Sequence, residues 1–331
     1  MAILPNGQPT LADVSAQFNN GEALPLAELI EKVNPAFNDI PFIEGNSTTG
    51  HKVSARQKLP ETYLRRINQG VKPSKSGYGS VVEAAGLFSA LGQVDSKLVQ
   101  LAGDRNAFRL NENRGHVQSM TERFFQSLFY GDPLATPEDF LGLAPRFDSL
   151  AAADRTAAQI IDAGGTGTDN TSIFIVGWGA GSVEAFFPKG TQAGITHKDM
   201  GEELVNDGDG GQYPALRDWF ELDAGLAVSD YRNVVRIANI DVSDLSSNAA
   251  TGAKLIDLLV AAQESLNNPD GLNVVAYVPR VINLYLRQQI TNKANVWLST
   301  KEVAGTRVTD FSDMTIRRTD AISINEARVT A

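Results

Sequence analysis

Cysteine is absent from this 331-residue chain, which removes disulfide frameworks, thiolate metal sites and thiol nucleophiles together. The same absence fits a protein made in a reducing cytosol. No apolar run reaches the roughly 18 residues a membrane-spanning helix needs, so no contact with a membrane is expected. The opening Met1-Ala-Ile-Leu-Pro-Asn-Gly carries no basic or apolar leader, so no secretory signal is expected either. The Asn-x-Ser/Thr triplets at Asn46 and Asn170 then have no route to glycosylation. Positive charge is scarce: 29 Lys and Arg stand against 39 Asp and Glu, for a net charge of −10. That balance argues against general nucleic-acid binding, which rests on neutralising phosphates. The three histidines, His51, His116 and His197, lie far apart without metal-ligand spacing, and neither a phosphate-binding lysine loop nor a G-x-S-x-G elbow occurs.

What positive charge there is, is concentrated. Residues 51–75 hold Lys52, Arg56, Lys58, Arg65, Arg66, Lys72 and Lys75 against Glu61 alone, a local balance of +6 that leaves −16 on the remainder. At the other extreme, residues 199–230 hold nine carboxylates (Asp199, Glu202, Glu203, Asp207, Asp209, Asp218, Glu221, Asp223 and Asp230) against Arg217 alone. Such a split steers encounter and fixes register between surfaces of opposite sign. Two unrelated solvated surfaces account for it equally well on charge alone.

The length leaves room for about two domains with real cores, and 29 glycines point to many turns and extended loops. Short helices are expected around Leu11–Phe18 and, after Pro25, over Leu26–Val33, as an arm too small to fold alone. Residues 36–104 look extended and poor in core, with Val53, Ala55 and Gln57 on one strand face and Lys52, Ser54, Arg56 and Lys58 on the other. Residues 80–88 fit either a returning strand or a short helix. The helical signal is strongest over Asn106–Tyr130, where Val117, Met120, Phe124 and Leu128 form a stripe beside Thr121, Phe125 and Phe129. A short helix is expected near 150–162, buried strands over 172–178, 183–188 and 233–240, and an acidic glycine-rich loop over 199–211. Helices over 251–267 and 281–289 flank a strand at 273–278, and 307–329 reads as short strands. This order describes an α+β body with a smaller α/β insertion.

Two stretches imitate ligand sites. Gly177-Trp178-Gly179-Ala180-Gly181-Ser182 follows a strand, but Ser182 stands where a dinucleotide fingerprint needs its third glycine, and a helix signal does not follow. A glycine turn accounts for it better. Asn206-Asp207-Gly208-Asp209-Gly210-Gly211 resembles a calcium loop but lacks the bidentate Glu at the twelfth position. No positive case for an enzyme arises, and no cofactor or metal is expected.

Several phrases resemble a known family. Phe129-Tyr-Gly-Asp with Phe140-Leu-Gly-Leu-Ala-Pro-Arg-Phe is similar to the segment after the long helix of tailed-bacteriophage major capsid proteins. Asp230-Tyr-Arg-Asn-Val-Val-Arg-Ile-Ala-Asn-Ile-Asp241 and the ending Phe311…Ile316-Arg-Arg-Thr-Asp-Ala-Ile322 resemble the same proteins, nearest to those of short-tailed phages. Their order and spacing cover about two-thirds of the chain.

The resemblance implies an HK97-like α+β fold: an N-terminal arm (1–39), an extended E-loop hairpin (40–104), and a P domain (105–245) that includes a spine helix (105–131). An A domain (246–305) and C-terminal strands returning to the P domain (306–331) would complete it. It implies self-assembly into hexamers and pentamers of an icosahedral head enclosing double-stranded DNA, located in the virion and, during assembly, in the host cytoplasm. The expected partners are further copies of the chain, a separate scaffolding protein, a portal, a decoration or cement protein, and DNA held by weak non-specific contact. Lys52, Arg56, Lys58, Arg65, Arg66, Lys72 and Lys75 then fall on the E-loop as inter-subunit contacts. Lys58, Lys72 and Lys75 also stand where some members cross-link to a neighbour's asparagine, although plain charges explain them as well. Two rivals stay open: an encapsulin-like nanocompartment shell, and a metal-dependent enzyme or sugar-binding domain using the acidic loop 199–211.

Overall fold

A computed structural model of the chain describes residues 18–19, 22–23, 35–101, 105–207, 210–247, 253–292, 298–303, 306–311 and 314–331. The expected arm helices lie almost entirely outside the described residues; within that stretch two short strands pair, β1 (Phe18–Asn19) and β2 (Glu22–Ala23). Further strands are β3 (Phe42–Glu44), β4 (Gly50–Lys58), β5 (Gly77–Ala84) and β6 (Gly86–Asp95). Helices α1 (Ser96–Leu101) and α2 (Arg105–Tyr130) follow. Then come β7 (Ile160–Asp162), β8 (Asn170–Trp178), β9 (Val183–Phe187), β10 (Thr196–Asn206), β11 (Gln212–Val228) and β12 (Val234–Asp241). Helices α3 (Val242–Ser247) and α4 (Leu255–Ser265), strand β13 (Asn273–Pro279), helix α5 (Arg280–Asn292), and strands β14 (Leu298–Val303), β15 (Thr306–Phe311) and β16 (Met314–Thr319) complete the order. Among the described residues no helix is long and apolar enough to cross a membrane.

Helix α2 forms where the sequence calls for it, because Met120, Phe124, Phe125, Leu128 and Phe129 recur at helical spacing and all are buried. Val117, expected in the same stripe, is instead exposed. With 26 residues the helix is about 39 Å long. It ends at Gly131, whose N–H donates to the Ser127 carbonyl at 2.8 Å. A Cβ at Gly131 would lie 2.3 Å from the Phe140 carbonyl oxygen, so that close approach requires glycine.

The chain divides into two compact units. One comprises the described residues within 1–32, 87–125 and 192–224. Here β11 pairs antiparallel with β10 and also pairs with β6. Val94, Leu98, Val99, Phe108 and Leu216 form its apolar cluster. The expected acidic loop 199–211 is therefore corrected: most of it is strand β10. Alternation of Glu202, Leu204 and Asn206 with Gly201, Glu203 and Val205 suits a half-exposed strand, and Glu203 reaches Arg217 on β11 at 2.8 Å.

The other unit comprises the described residues within 33–86, 126–191 and 225–331. Its centre is β8, antiparallel to β12 and to β13, with β16, β15 and β14 continuing beyond β13. All nine residues of β8 are buried, which is what a strand covered on both faces requires. Leu255, Leu259, Ala262, Ile282 and Leu286 of α4 and α5 close over Ile173, Ile175, Val235, Ile237 and Val278. Elsewhere Phe129 meets Phe174 and Tyr277, and the Trp178 Nε1–H donates to the Tyr277 hydroxyl at 2.8 Å. Burial pushes the Tyr277 phenol well above its ordinary range.

The short helix expected near 150–162 is a second correction. That stretch forms turns, a 3-10 turn at Ala157–Gln159 and strand β7, which pairs parallel with β12. Its alanines favour a helix, but residues 152–155 are exposed and give an isolated turn nothing to pack against. The C-terminal segment is held down polar group by polar group. Glu326 N–H donates to the Asn170 carbonyl at 2.8 Å, and the Asn239 side chain exchanges two bonds with Val329 at 2.8 and 2.9 Å.

Candidate interaction surface

Strands β4 and β5 form a two-stranded antiparallel ribbon from Gly50↔Ala84 to Lys58↔Gly77. Residues 80–84 are thus returning strand, not helix. The root of the ribbon is anchored. Val53 packs with Phe186 and Ala227, and the buried Glu83 carboxylate takes a bidentate pair from Arg146 at 2.8 and 2.7 Å. A Cβ on Gly50 would lie 2.3 Å from the Glu83 carbonyl oxygen, so the strands close tightly there only with glycine. A cleft of about 780 Å³ opens beside this root, lined by Val53, Val81, Arg146, Arg155 and Tyr231 among others.

The distal end has no such anchor. Residues 59–75, which connect the two strands, are all exposed. Their local bonds are few: the Tyr63 hydroxyl donates to Glu61, which raises the Tyr63 pKa, and the Ser74 hydroxyl donates to the Glu61 carbonyl at 2.9 Å. Lys52 and Lys58 are exposed on β4, and Arg65, Arg66, Lys72 and Lys75 are exposed in the connection. Arg56 lies on β4, with its side chain outside the described residues. None of these six described cations makes an ion pair among the described residues. The ribbon therefore gathers the basic residues into one projecting segment.

Charge is only half of what this segment carries. Leu59, Tyr63, Leu64, Ile67 and Val71 are interleaved with the cations, and Leu64 and Ile67 are 105% and 90% exposed. Tyr78, Val81 and Val82 on β5 are exposed as well. Charge counting passes over them, and although Leu59, Tyr63, Ile67 and Val71 recur every fourth residue, no helix forms there. The available signal was five large apolar residues in a stretch with no core of its own.

The acidic stretch is less free than its composition implies. Arg109 Nη2 lies 3.0 Å from Asp199 and 2.8 Å from buried Asp218, whose Oδ1 also contacts His197 Nε2 at 2.8 Å. The Arg109 hydrogen bond holds the Asp199 carboxyl below its ordinary range. Glu203 is paired with Arg217 and Asp230 with Arg232. Burial, and then the nearby Glu221, raises the Asp223 carboxyl. Glu202 and Glu221 remain exposed; Asp209 lies outside the described residues.

Neither imitation of a ligand site keeps its premise. After Gly177–Ser182 the chain enters strand β9 rather than a phosphate-binding helix; Ser182 N–H donates to the Gly179 carbonyl at 3.0 Å, closing a turn. The calcium-like stretch turns the corner between β10 and β11, with the Asp207 carboxylate accepting from Gly211 N–H at 2.9 Å. No group of three His, Asp or Glu side chains among the described residues is placed to hold a metal ion. With β10 a strand and four of its region's carboxylates paired to cations, the metal-loop rival loses the feature it rested on.

A family model described as major capsid protein GP7 matches residues 19–330. No curated protein matches. Among solved structures, one of bacteriophage epsilon15 is similar at 32% identity and a TM-score of 0.79, covering 100% of this chain and 99% of that one. The capsid of bacteriophage JBD30 aligns at 10% identity and a TM-score of 0.49, over 89% of this chain and 93% of that one. The holo-SrpI encapsulin complex of Synechococcus elongatus aligns at 11% and 0.45, over 69% and 95%.

Proposed function

The chain belongs to the GP7 family of phage major capsid proteins, with the HK97-like fold, and from that membership we propose that copies of it join into hexamers and pentamers of an icosahedral head enclosing double-stranded DNA. One observation carries the assembly reading: the segment 59–75 keeps large apolar side chains and unpaired cations in solvent. Burying a Leu or Ile side chain contributes about 1.5–3 kcal/mol, which this segment gains only against another molecule. The ribbon acts as the E-loop, with Lys52, Arg56, Lys58, Arg65, Arg66, Lys72 and Lys75 docking on acidic surfaces of adjacent subunits. The wider assignment is an arm at 1–39, the E-loop over 40–104 and a P domain over 105–245. An A domain at 246–305 and return strands at 306–331 follow. A separate scaffolding protein directs closure, a portal occupies one vertex, and a decoration protein binds the finished shell, which resides in the virion after assembly in the host cytoplasm. The encapsulin-like rival finds no support in the family match, which is to phage capsid proteins.

Negative-stain electron microscopy of the purified chain, alone and with a co-expressed scaffolding protein, tests this. Closed shells, tubes or ring-shaped capsomers are expected. Uniform monomers under both conditions would overturn it.

A further inference from the structure

Among the described residues several strands leave one edge without a neighbour, and two of them differ sharply in charge. There β4 pairs with β5 alone, and β10 stands at one end of its strand order, paired with β11 alone. An open edge presents unpaired N–H and C=O groups that template another strand, and an isolated two-stranded ribbon is marginal by itself. On β4 the free side can be located. Lys52 N–H donates to Asn46 Oδ1 at 2.7 Å, and the Asn46 amide donates to the Lys52 carbonyl at 2.8 Å, so the Lys52 backbone groups face away from β5. Strand alternation puts the backbone groups of Ser54 and Arg56 on that same open side. On β10 the ladder is irregular between Asp199 and Gly201, then runs without interruption from Gly201↔Arg217 to Asn206↔Gln212. This regular stretch carries exposed Glu202 and Leu204, the latter 69% exposed.

Charge decides which edges can meet. β4 carries His51, Lys52, Arg56 and Lys58 with no carboxylate, whereas β10 carries Asp199, Glu202 and Glu203 with Lys198. Pairing two β4 edges, or two β10 edges, sets like charges opposite one another and is disfavoured; pairing β4 with β10 sets unlike charges opposite. We infer that the open edge of β4 in one subunit pairs with the open edge of β10 in the next, extending the sheet from copy to copy. Such a contact is head-to-tail, and head-to-tail contacts close into rings when the rotation permits. The inference rests on the proposed assembly and names the acidic partner surface for one part of it.

The lack of cysteine makes the test clean. Ser54→Cys and Leu204→Cys variants are prepared separately, mixed before assembly, and oxidised in the closed shells. A reductant-sensitive two-chain product is expected from the mixture and from neither variant alone; Ser54→Cys mixed with Asp270→Cys is the negative control. The doubly substituted chain is expected to give a ladder ending at the pentamer and hexamer. Closed shells without the mixed product, or with product from Ser54→Cys alone, would overturn the strand pairing while leaving assembly intact. Absence of shells from the wild-type chain is the separate failure of the assembly reading. Hydrogen exchange on the wild-type protein supplies a measurement that needs no substitution. Amides of 54–56 and 201–206 are expected to slow together on assembly, and unchanged exchange in either segment contradicts the pairing.

Discussion

Arg236 lies on the wholly buried strand β12, between Val235 and Ile237, and is itself buried. It is tolerated there because its guanidinium is satisfied on every side. Nη2 lies 2.8 Å from Glu326, Nη1 donates to the Phe147 carbonyl at 2.7 Å, Nε donates to the Ser172 hydroxyl at 3.0 Å, and the Phe174 ring lies 5.4 Å below. Glu326 in turn accepts from Ser172 and from Tyr130, whose phenol is raised far above its ordinary value chiefly by burial. Removing one member of a buried pair strands the other charge, so Glu326→Ala should destabilise the fold by about 3–5 kcal/mol. Denaturant unfolding of the unassembled subunit measures this; a midpoint equal to that of the wild type would contradict it.

At the level of elements, the ribbon β4–β5 combines a fixed root with an unsupported end. The Glu83–Arg146 pair and the Val53 contact fix where the ribbon leaves the body, while residues 59–75 have no core of their own. Substitutions at the exposed end should therefore separate folding from assembly. Arg65→Gln, Arg66→Gln and Lys72→Gln should each change the unfolding free energy by no more than about 0.5 kcal/mol and together slow or abolish shell formation. Light scattering during assembly, beside a melting curve, tests the pair of outcomes; normal assembly would sink the docking role. Leu64 and Ile67 belong to the same reasoning, since steering charges set the rate of encounter while buried apolar area sets persistence.

For the whole molecule the net charge of −10 matters more than any one contact. In the proposed shell such subunits would present mostly negative charge to an enclosed polyanion, and packaged DNA is then expected to be held weakly and to slide. Purified subunits should bind duplex DNA feebly, with little further loss between low and physiological salt. A strong affinity that falls steeply with salt, read by filter binding, would contradict this picture.

The sequence by itself determined those features that depend on local order. The apolar spacing of Met120, Phe124 and Leu128 was enough for α2, the unbroken apolar run was enough for β8, and the charge count located the basic projection. It did not disclose β11, a 17-residue strand interrupted in sequence by Pro214 and Gly225. A Cβ at Gly225 would lie 2.5 Å from the Phe186 ring, so this glycine marks a close approach inside a strand rather than its end. Nor did it reveal that 199–206 is strand, that Val117 faces solvent, or that Arg236 finds its counter-charge 90 residues away. Those outcomes were decided by tertiary structure, because propensity and periodicity act over one or two turns of chain. Which acid meets which base, and which edge stays open, depends on what folding brings alongside.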